Sequence, residues 1–239
     1  LKNLFSELEF KTWLKDLNGF EAENESEMAK RSQVTKEDVK NNNAEKLEEN
    51  LAIYETILEK TVFEKWLKKL KNSALFAFDT ETTSLEYMLA EIVGLSFAVT
   101  PGEAAYLPVG HNYMGAPPQL NREWVLEQLR PVLEDKKRLK VGHNFKYDSE
   151  VLANHGIMLQ GIAFDTMLES YVLDSTATRH DMDTLAERHL QYKTISFAEV
   201  AGKGVKQITF NQVPLEGAAF YAAEDADVTL KLHQKFWPL

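Results

Sequence analysis

Two acidic residues, Asp79 and Glu81, follow a short apolar segment that ends at Phe78. The segment predicts a buried strand, and residues two apart on a strand point to the same face. Two carboxylates on one face of a buried strand repel each other and lose hydration. A divalent cation such as Mg²⁺ or Mn²⁺, which prefers oxygen ligands, would offset both costs. The alternative is an Asp-x-Glu pair at the water-exposed end of a strand.

Other acidic residues further along the chain can join this pair. Asp148 lies one turn into a predicted helix that begins near Asn144, so its carboxylate can point back toward the strand ends. Tyr221 and Asp225 are four residues apart on another predicted helix and share one face. Asp165 precedes a third predicted helix and is typical of a helix cap.

The elements around these residues predict an α/β fold in which a mixed sheet is flanked by helices. Three short apolar segments, with a turn signal at Pro101-Gly102 between the last two, predict an antiparallel meander. The predicted strands are 52–58, 75–79, 92–99, 104–109, 139–141 and 162–164. The predicted helices are 61–70, begun by a Thr61 cap, and 122–133, 145–155, 165–173, 182–190 and 215–237.

The chain divides into three predicted parts. Residues 1–18 carry apolar side chains at helical spacing and predict an amphipathic helix. Residues 19–50 are rich in Glu, Lys, Asn and Ser and predict a flexible linker, because they cannot bury enough apolar surface to fold alone. Residues 51–239 predict one domain. Since the first residue is Leu1 and not Met, we expect a piece of a longer polypeptide.

Composition narrows the class of protein. The 239 residues are 44% hydrophobic and 27% charged, which is ordinary for a globular protein. The absence of cysteine excludes disulfides and thiolate metal sites, and no stretch is typical of a signal peptide or a membrane span. These features fit a cytoplasmic monomer. The net charge of −10 argues against a basic nucleic-acid surface, so a polyanionic substrate would need metal ions or a missing neighbour for positive charge.

The order of the motifs is similar to that of a known family. Asp-x-Glu, Asn-x-Lys-Tyr-Asp and Tyr-x-x-x-Asp resemble the DEDD superfamily of 3′–5′ exonucleases, in its tyrosine-bearing branch. Segments 161–171, 180–188 and 209–212 look like the proofreading domain of the bacterial DNA polymerase I family, of the gamma-proteobacterial type. The resemblance runs from about Leu51 to Leu239, where a polymerase domain would begin. Residues 1–17 resemble the tail of the 5′-nuclease domain that precedes it.

This resemblance implies an RNase H-like sheet and phosphodiester hydrolysis with two divalent ions, Mg²⁺ or Mn²⁺, with Zn²⁺ as an alternative at one site. By the family pattern, Asp79 bridges both ions, and Glu81 and Asp225 complete the site beside the nucleophile. Asp148 serves the leaving-group side, and Tyr221 orients the attacking water. A phenol with a pKa near 10 is a poor base at neutral pH, which favours orientation over proton abstraction.

The resemblance also implies substrate-binding residues. Leu85 matches an apolar wedge between the last two bases, and Phe197 matches a ring that contacts the terminal nucleotide, where stacking contributes about 1–3 kcal/mol. For both, the alternative is an ordinary core side chain.

Further matches lie near the scissile phosphate or the terminal sugar. Asn144, Tyr147 and Arg179 match positions there, although Asn144 could be only a helix cap. His143 stands where the family often has Gln, and we expect a modest change in binding from it. The remaining histidines show no metal-ligand spacing and are interpreted as surface or helix residues: His111, His155, His180, His189 and His233.

Three functions are compatible with these residues. The first is a proofreading 3′–5′ exonuclease domain that acts on a single-stranded or frayed 3′ DNA end, beside a polymerase domain of the same parent chain. The second is a catalytically silent module that guides DNA, which the loss of a carboxylate would mark; all four carboxylates and Tyr221 are present. The third is a stand-alone exoribonuclease, against which the polar linker and the non-Met start argue.

Overall fold

A six-stranded mixed sheet organises residues 52–177 and 179–239, the part of the chain that the computed structural model describes. The predicted helical tail 1–18 and linker 19–50 lie outside the described residues. The strands are β1 (Ile53–Thr56), β2 (Leu75–Thr82), β3 (Ile92–Thr100), β4 (Glu103–Pro108), β5 (Leu139–Gly142) and β6 (Ile162–Asp165).

The strand order is β1-β4-β3-β2-β5-β6. Strands β2, β3 and β4 pair antiparallel, as the turn signals predict. Strand β5 joins β2 in parallel and β6 joins β5 in parallel, while β1 adds to the far edge, parallel to β4. This arrangement confirms the predicted mixed α/β sheet.

Helices cover both faces of the sheet. They are α1 (Lys60–Asn72), α2 (Arg122–Leu133), α3 (Phe145–Asn154), α4 (Thr166–Leu173), α5 (Met182–Leu185), α6 (Phe197–Ala201) and α7 (Leu215–Phe236). A π-helical turn, Ala186–Leu190, continues α5, and 3₁₀ turns cover Gly204–Lys206 and Phe210–Gln212. Within residues 52–177 and 179–239, no helix combines the length and apolar character needed to cross a bilayer.

Two details of the helix predictions are wrong. Helix α1 begins at Lys60 with Glu59 at its N-cap, so Thr61 is not the cap. Helix α6 was not predicted, because five residues give too little hydrophobic periodicity. Its signal is the capping box of Ser196 and Glu199, whose carboxylate accepts a hydrogen bond from the Ser196 backbone N–H at 2.8 Å.

Successive side chains of β2 point alternately into two hydrophobic cores, one on each face of the sheet. Phe76 and Phe78 pack with the core on the side of α1, α2 and α3, whereas Ala77 packs with the core under α7. Asp79 and Glu81 follow Ala77 in the same alternation and therefore point toward α7. The α7 face beneath them carries small side chains, which lets the helix approach the sheet closely: Ala218, Ala219, Ala222, Ala223 and Ala226.

Candidate active site

Three carboxylates meet where β2 passes under α7. One oxygen from each of Asp79, Glu81 and Asp225 lies within 4.8 Å of the other two. Glu81 and Asp225 are buried, and Asp79 is half-buried. The alternation of β2 and the close approach of α7 bring these residues together, although Asp79 and Asp225 are 146 positions apart in the chain. It is the arrangement that a hard divalent cation requires.

Tyr221 lies one helical turn before Asp225 and faces the same site, as the spacing predicts. Burial, followed by the charge of Asp225, raises the pKa of the Tyr221 hydroxyl far above its ordinary value. The phenol therefore keeps its proton at neutral pH. The nearby Tyr221 hydroxyl lowers the pKa of the Asp225 carboxyl, although burial dominates and leaves that pKa raised.

Helix α3 carries the fourth carboxylate and begins at an unusual turn. Asn144 adopts left-handed backbone angles, with φ 63° and ψ 46°, and its side chain makes no cap hydrogen bond. Asp165 supplies the cap instead, because its carboxylate accepts hydrogen bonds from the backbone N–H groups of Asn144 and Phe145 at 3.1 and 2.9 Å. The same carboxylate caps α4 through Met167 and Leu168, as predicted. One aspartate thus fixes the starts of two helices.

Asp148 lies beside the cluster and contacts Thr80, the residue between Asp79 and Glu81 on β2. Its Oδ1 accepts hydrogen bonds from the Thr80 backbone N–H at 3.0 Å and from the Thr80 hydroxyl at 2.5 Å. Asp148 is buried and is not one of the residues of the 4.8 Å cluster. The four predicted carboxylates are therefore arranged as three together and one held apart.

The cluster is unstable in its fully ionised form. Burial and then the charge of Asp148 raise the pKa of Glu81 to about 8. Burial raises the pKa of Asp148 to about 7, against the opposing hydrogen bonds from Thr80. Burial and the neighbouring carboxylates raise the pKa of Asp79 well above its ordinary value. In addition, Oε1 of Glu81 is buried without a hydrogen-bond partner among the described residues. Charge repulsion and an unpartnered oxygen both fit a site for a divalent cation.

An open cleft of about 520 Å³ leads to the cluster. Leu85, Tyr147 and Phe197 line it, as do four residues that were not predicted to belong to the site: Gln207, Ile208, Thr209 and Phe210. The missed residues belong to an irregular segment around two 3₁₀ turns, which carries no periodic signal. The cleft therefore combines an acidic floor with largely apolar walls.

Comparison with known proteins identifies the family. A family model described as a 3′–5′ exonuclease matches residues 54–239. The chain belongs to the 3′–5′ exonuclease family. This confirms the nuclease interpretation drawn from the motifs.

The curated relatives of this exonuclease domain include bacterial polymerases. It is 53% identical over 236 residues to DNA polymerase I of Pseudomonas aeruginosa, covering 98% of this chain and 24% of the relative. It is 41% identical over 196 residues to DNA polymerase I of Rhizobium leguminosarum, covering 75% of this chain and 19% of the relative. The chain thus spans about a fifth to a quarter of the length of these relatives. The predicted likeness to the exonuclease portion of DNA polymerase I is confirmed.

Solved structures share the fold of the exonuclease domain. RNase D of Trypanosoma brucei aligns with a TM-score of 0.57 and 18% identity, covering 77% of this chain and 64% of that chain. NrnC of Brucella melitensis aligns with a TM-score of 0.54 and 21% identity, covering 77% and 78%. At these identities the likeness concerns the fold alone, and it confirms the RNase H-like prediction.

Leu85 projects from the exonuclease cleft and is 94% exposed, which excludes the alternative that it is a core leucine. Tyr147 holds the loop that carries Leu85. Its hydroxyl donates a hydrogen bond to the carbonyl of Ser84 and lies 2.5 Å from the Thr82 hydroxyl. Tyr147 therefore acts on the loop that presents Leu85.

Phe197 has both a packed and an exposed side. Its ring lies 6.3 Å from that of Phe210 and 6.2 Å from that of Tyr221, measured between centroids. It still lines the cleft with 36% of its surface exposed. One side of the ring is therefore packed, and contact of the exposed side with a substrate stays a prediction.

Three predicted substrate residues do not line the cleft: His143, Asn144 and Arg179. The His143 ring nitrogen Nδ1 lies 2.8 Å from the Thr166 hydroxyl, and burial lowers the pKa of this histidine. The Arg179 side chain is 71% exposed and pairs with Asp181 at 3.1 Å. Their roles toward a substrate remain predictions.

The interpretation of the other histidines is wrong for His111 and His180, which are buried outside helices. The His111 ring lies 2.8 Å from the Tyr106 hydroxyl, and burial lowers the pKa of His111 to about 4. The His180 ring stacks on that of Tyr171, with centroids 3.6 Å apart. Both ring nitrogens of His111 have hydrogen-bond partners, whereas the Nε2 atom of His180 has none among the described residues. Residue type alone could not indicate that either histidine is buried.

Proposed function

We propose that this exonuclease domain hydrolyses DNA from a free 3′ end and depends on two divalent ions. The observation that carries the proposal is the buried cluster of Asp79, Glu81 and Asp225 at the base of an open cleft. Its raised pKa values and the unpartnered Glu81 Oε1 describe a site whose charge is balanced by cations. The fourth carboxylate, Asp148, stands beside it.

The chain offers ligands for two ions. Asp79, Glu81 and Asp225 would hold the first, and Asp79 with Asp148 would hold the second. Mg²⁺ and Mn²⁺ suit these oxygen ligands best, and Zn²⁺ is an alternative at one site. When bound, such ions lower the pKa of a water and stabilise the negative charge that develops on the leaving 3′ oxygen.

Tyr221 holds and orients the attacking water. Its hydroxyl faces the cleft beside Asp225 and stays protonated at neutral pH, because burial and neighbouring carboxylates raise its pKa. It therefore acts through hydrogen bonding and not as the general base.

Replacing Tyr221 with Phe should lower kcat by about 10- to 100-fold, the range for contacts that orient reacting groups from outside the ligand shell. The Mg²⁺ requirement and the alkaline side of the pH–rate profile should not change, because the phenol does not titrate there. Steady-state cleavage of an end-labelled oligonucleotide between pH 6.5 and 9.5 checks this. A lost alkaline limb in Tyr221→Phe would contradict the orienting role.

The substrate is a single-stranded or frayed DNA end. Leu85 and Phe197 both present exposed apolar surface to the cleft, where unpaired bases can stack. In the longer chains that resemble it, the domain would work beside a polymerase domain that delivers this end. A monomeric, cytoplasmic protein remains our prediction.

Binding of single-stranded DNA should depend weakly on salt. The described residues that line the cleft include no lysine or arginine, so few phosphates are neutralised by side chains. With Ca²⁺ present to slow hydrolysis, the slope of log affinity against log monovalent salt should be no steeper than about −2, at about −0.7 per phosphate contact. A fluorescence anisotropy titration measures it, and a slope near −5 would reveal a basic surface elsewhere.

The proposed function is tested with matched single-stranded DNA and RNA oligonucleotides, labelled at the 5′ end. We expect a ladder shortened from the 3′ end on DNA with Mg²⁺, none with EDTA, and slower cleavage of RNA. Equal or faster cleavage of RNA would favour the stand-alone exoribonuclease. No cleavage of either would favour the silent module, against which the presence of all four carboxylates and Tyr221 argues.

A further inference from the structure

We propose that Thr80 is a positioning residue that fixes Asp148 for the second divalent ion. The proposal rests on the two-ion function above and concerns a residue between the two acidic positions of the Asp-x-Glu motif. Thr80 donates both its backbone N–H and its hydroxyl to the same oxygen, Oδ1 of Asp148, at 3.0 and 2.5 Å. Because both bonds end on Oδ1, the other oxygen of Asp148 is not engaged by Thr80.

The end of strand β5 explains why Thr80 is available. Strand β2 pairs with β5 only through Leu75, Phe76 and Ala77, whereas its pairing with β3 continues to Thr82. Beyond Ala77 the β5 side of β2 has no neighbouring strand, and a buried N–H there needs another partner. Asp148, from the first turn of α3, supplies it. The backbone bond is therefore part of the scaffold.

The hydrogen bond from the Thr80 hydroxyl sets the orientation of the Asp148 carboxylate. Thr80 and Asp148 are both buried, and a threonine side chain has restricted rotation about its first bond. A second donor of fixed direction on Oδ1 sets the orientation of the whole carboxylate, where repulsion from Asp79 and Glu81 would otherwise turn it away. The neighbouring Tyr147 hydroxyl cannot do this, since it is engaged by Thr82 and Ser84.

The experiment separates the two ion sites. Mn²⁺ is titrated into the full chain with thymidine 5′-monophosphate, the product class of the proposed reaction, and bound Mn²⁺ is followed by electron paramagnetic resonance. Thr80→Val keeps the shape and the backbone donor but lacks the hydroxyl. Thr80→Ser restores the hydroxyl, and Thr56→Val on the distant edge strand β1 controls for a strand threonine change.

We expect two Mn²⁺ ions with a spin-coupled signal in the wild type, Thr80→Ser and Thr56→Val. In Thr80→Val, affinity for the first ion should stay within about threefold, while the second is weakened by about 10- to 100-fold and the coupled signal is lost. Unchanged binding of both ions, equal weakening of both, or failure of Thr80→Ser to restore the second would overturn the proposal. A wild type that binds no Mn²⁺ would instead overturn the two-ion function itself.

Discussion

Replacing Asp225 with Asn should abolish exonuclease activity while making the metal-free protein more stable. Asn keeps the shape and can still accept a hydrogen bond from Tyr221, but it removes one of three carboxylates within 4.8 Å of each other. Activity should fall by more than about 10³-fold, since the loss of a single preorganised electrostatic contact already costs about 10²–10³ in kcat. The melting temperature in EDTA should rise, because Asn removes both the cost of burying the Asp225 charge and its repulsion by Glu81.

The matched control is Asp227→Asn on the same helix. Asp227 is also fully buried, but its carboxylate accepts hydrogen bonds from Tyr54, the Gly102 backbone N–H and Lys231 at 2.7–2.8 Å. This variant should keep its activity and lose stability, because a satisfied ion pair is broken. End-labelled DNA cleavage and thermal unfolding, each with Mg²⁺ and with EDTA, measure both effects. An Asp225→Asn variant that cleaves normally, or that is destabilised like Asp227→Asn, would refute the assignment.

Local periodicity was enough to predict the core of this site. The two-residue repeat of a strand aligned Asp79 with Glu81, and the four-residue spacing of a helix aligned Tyr221 with Asp225. These rules depend on backbone geometry alone, so they hold whatever the tertiary contacts. The antiparallel meander was predictable for the same reason, since its turns are short and local.

Features set by distant contacts could not be predicted. The hydrogen bond between Thr80 and Asp148 joins residues 68 apart, and no short-range signal indicates where β5 ends beside β2. The cleft wall at Gln207–Phe210 is irregular backbone, which lacks a period to detect. Burial of His111 depends on packing against Tyr106, which its sequence neighbourhood does not encode. The sequence therefore predicted which carboxylates lie close together, and the structure was needed to identify the contacts that hold them.

The stability of the metal-free protein should fall as pH rises from 6.5 to 8. The folded pKa values of Asp148 and Glu81 are raised to about 7 and about 8, so the folded state binds more protons than the unfolded state in this window and loses stability with rising pH. Two groups with lowered pKa values make stability rise with pH instead, but outside this window. His111 does so below about pH 6.5, and Lys140 does so above about pH 8. Denaturant unfolding in EDTA should therefore show a loss of at least about 2 kcal/mol between pH 6.5 and 8. One pKa unit corresponds to about 1.4 kcal/mol, and the raised pKa values of Asp79 and Asp225 act in the same direction. Glu81→Gln should flatten this dependence, and saturating Mg²⁺ should reverse it, because cation binding favours the ionised carboxylates. A metal-free protein that gains stability from pH 6.5 to 8 would show that the cluster is already fully ionised without a cation.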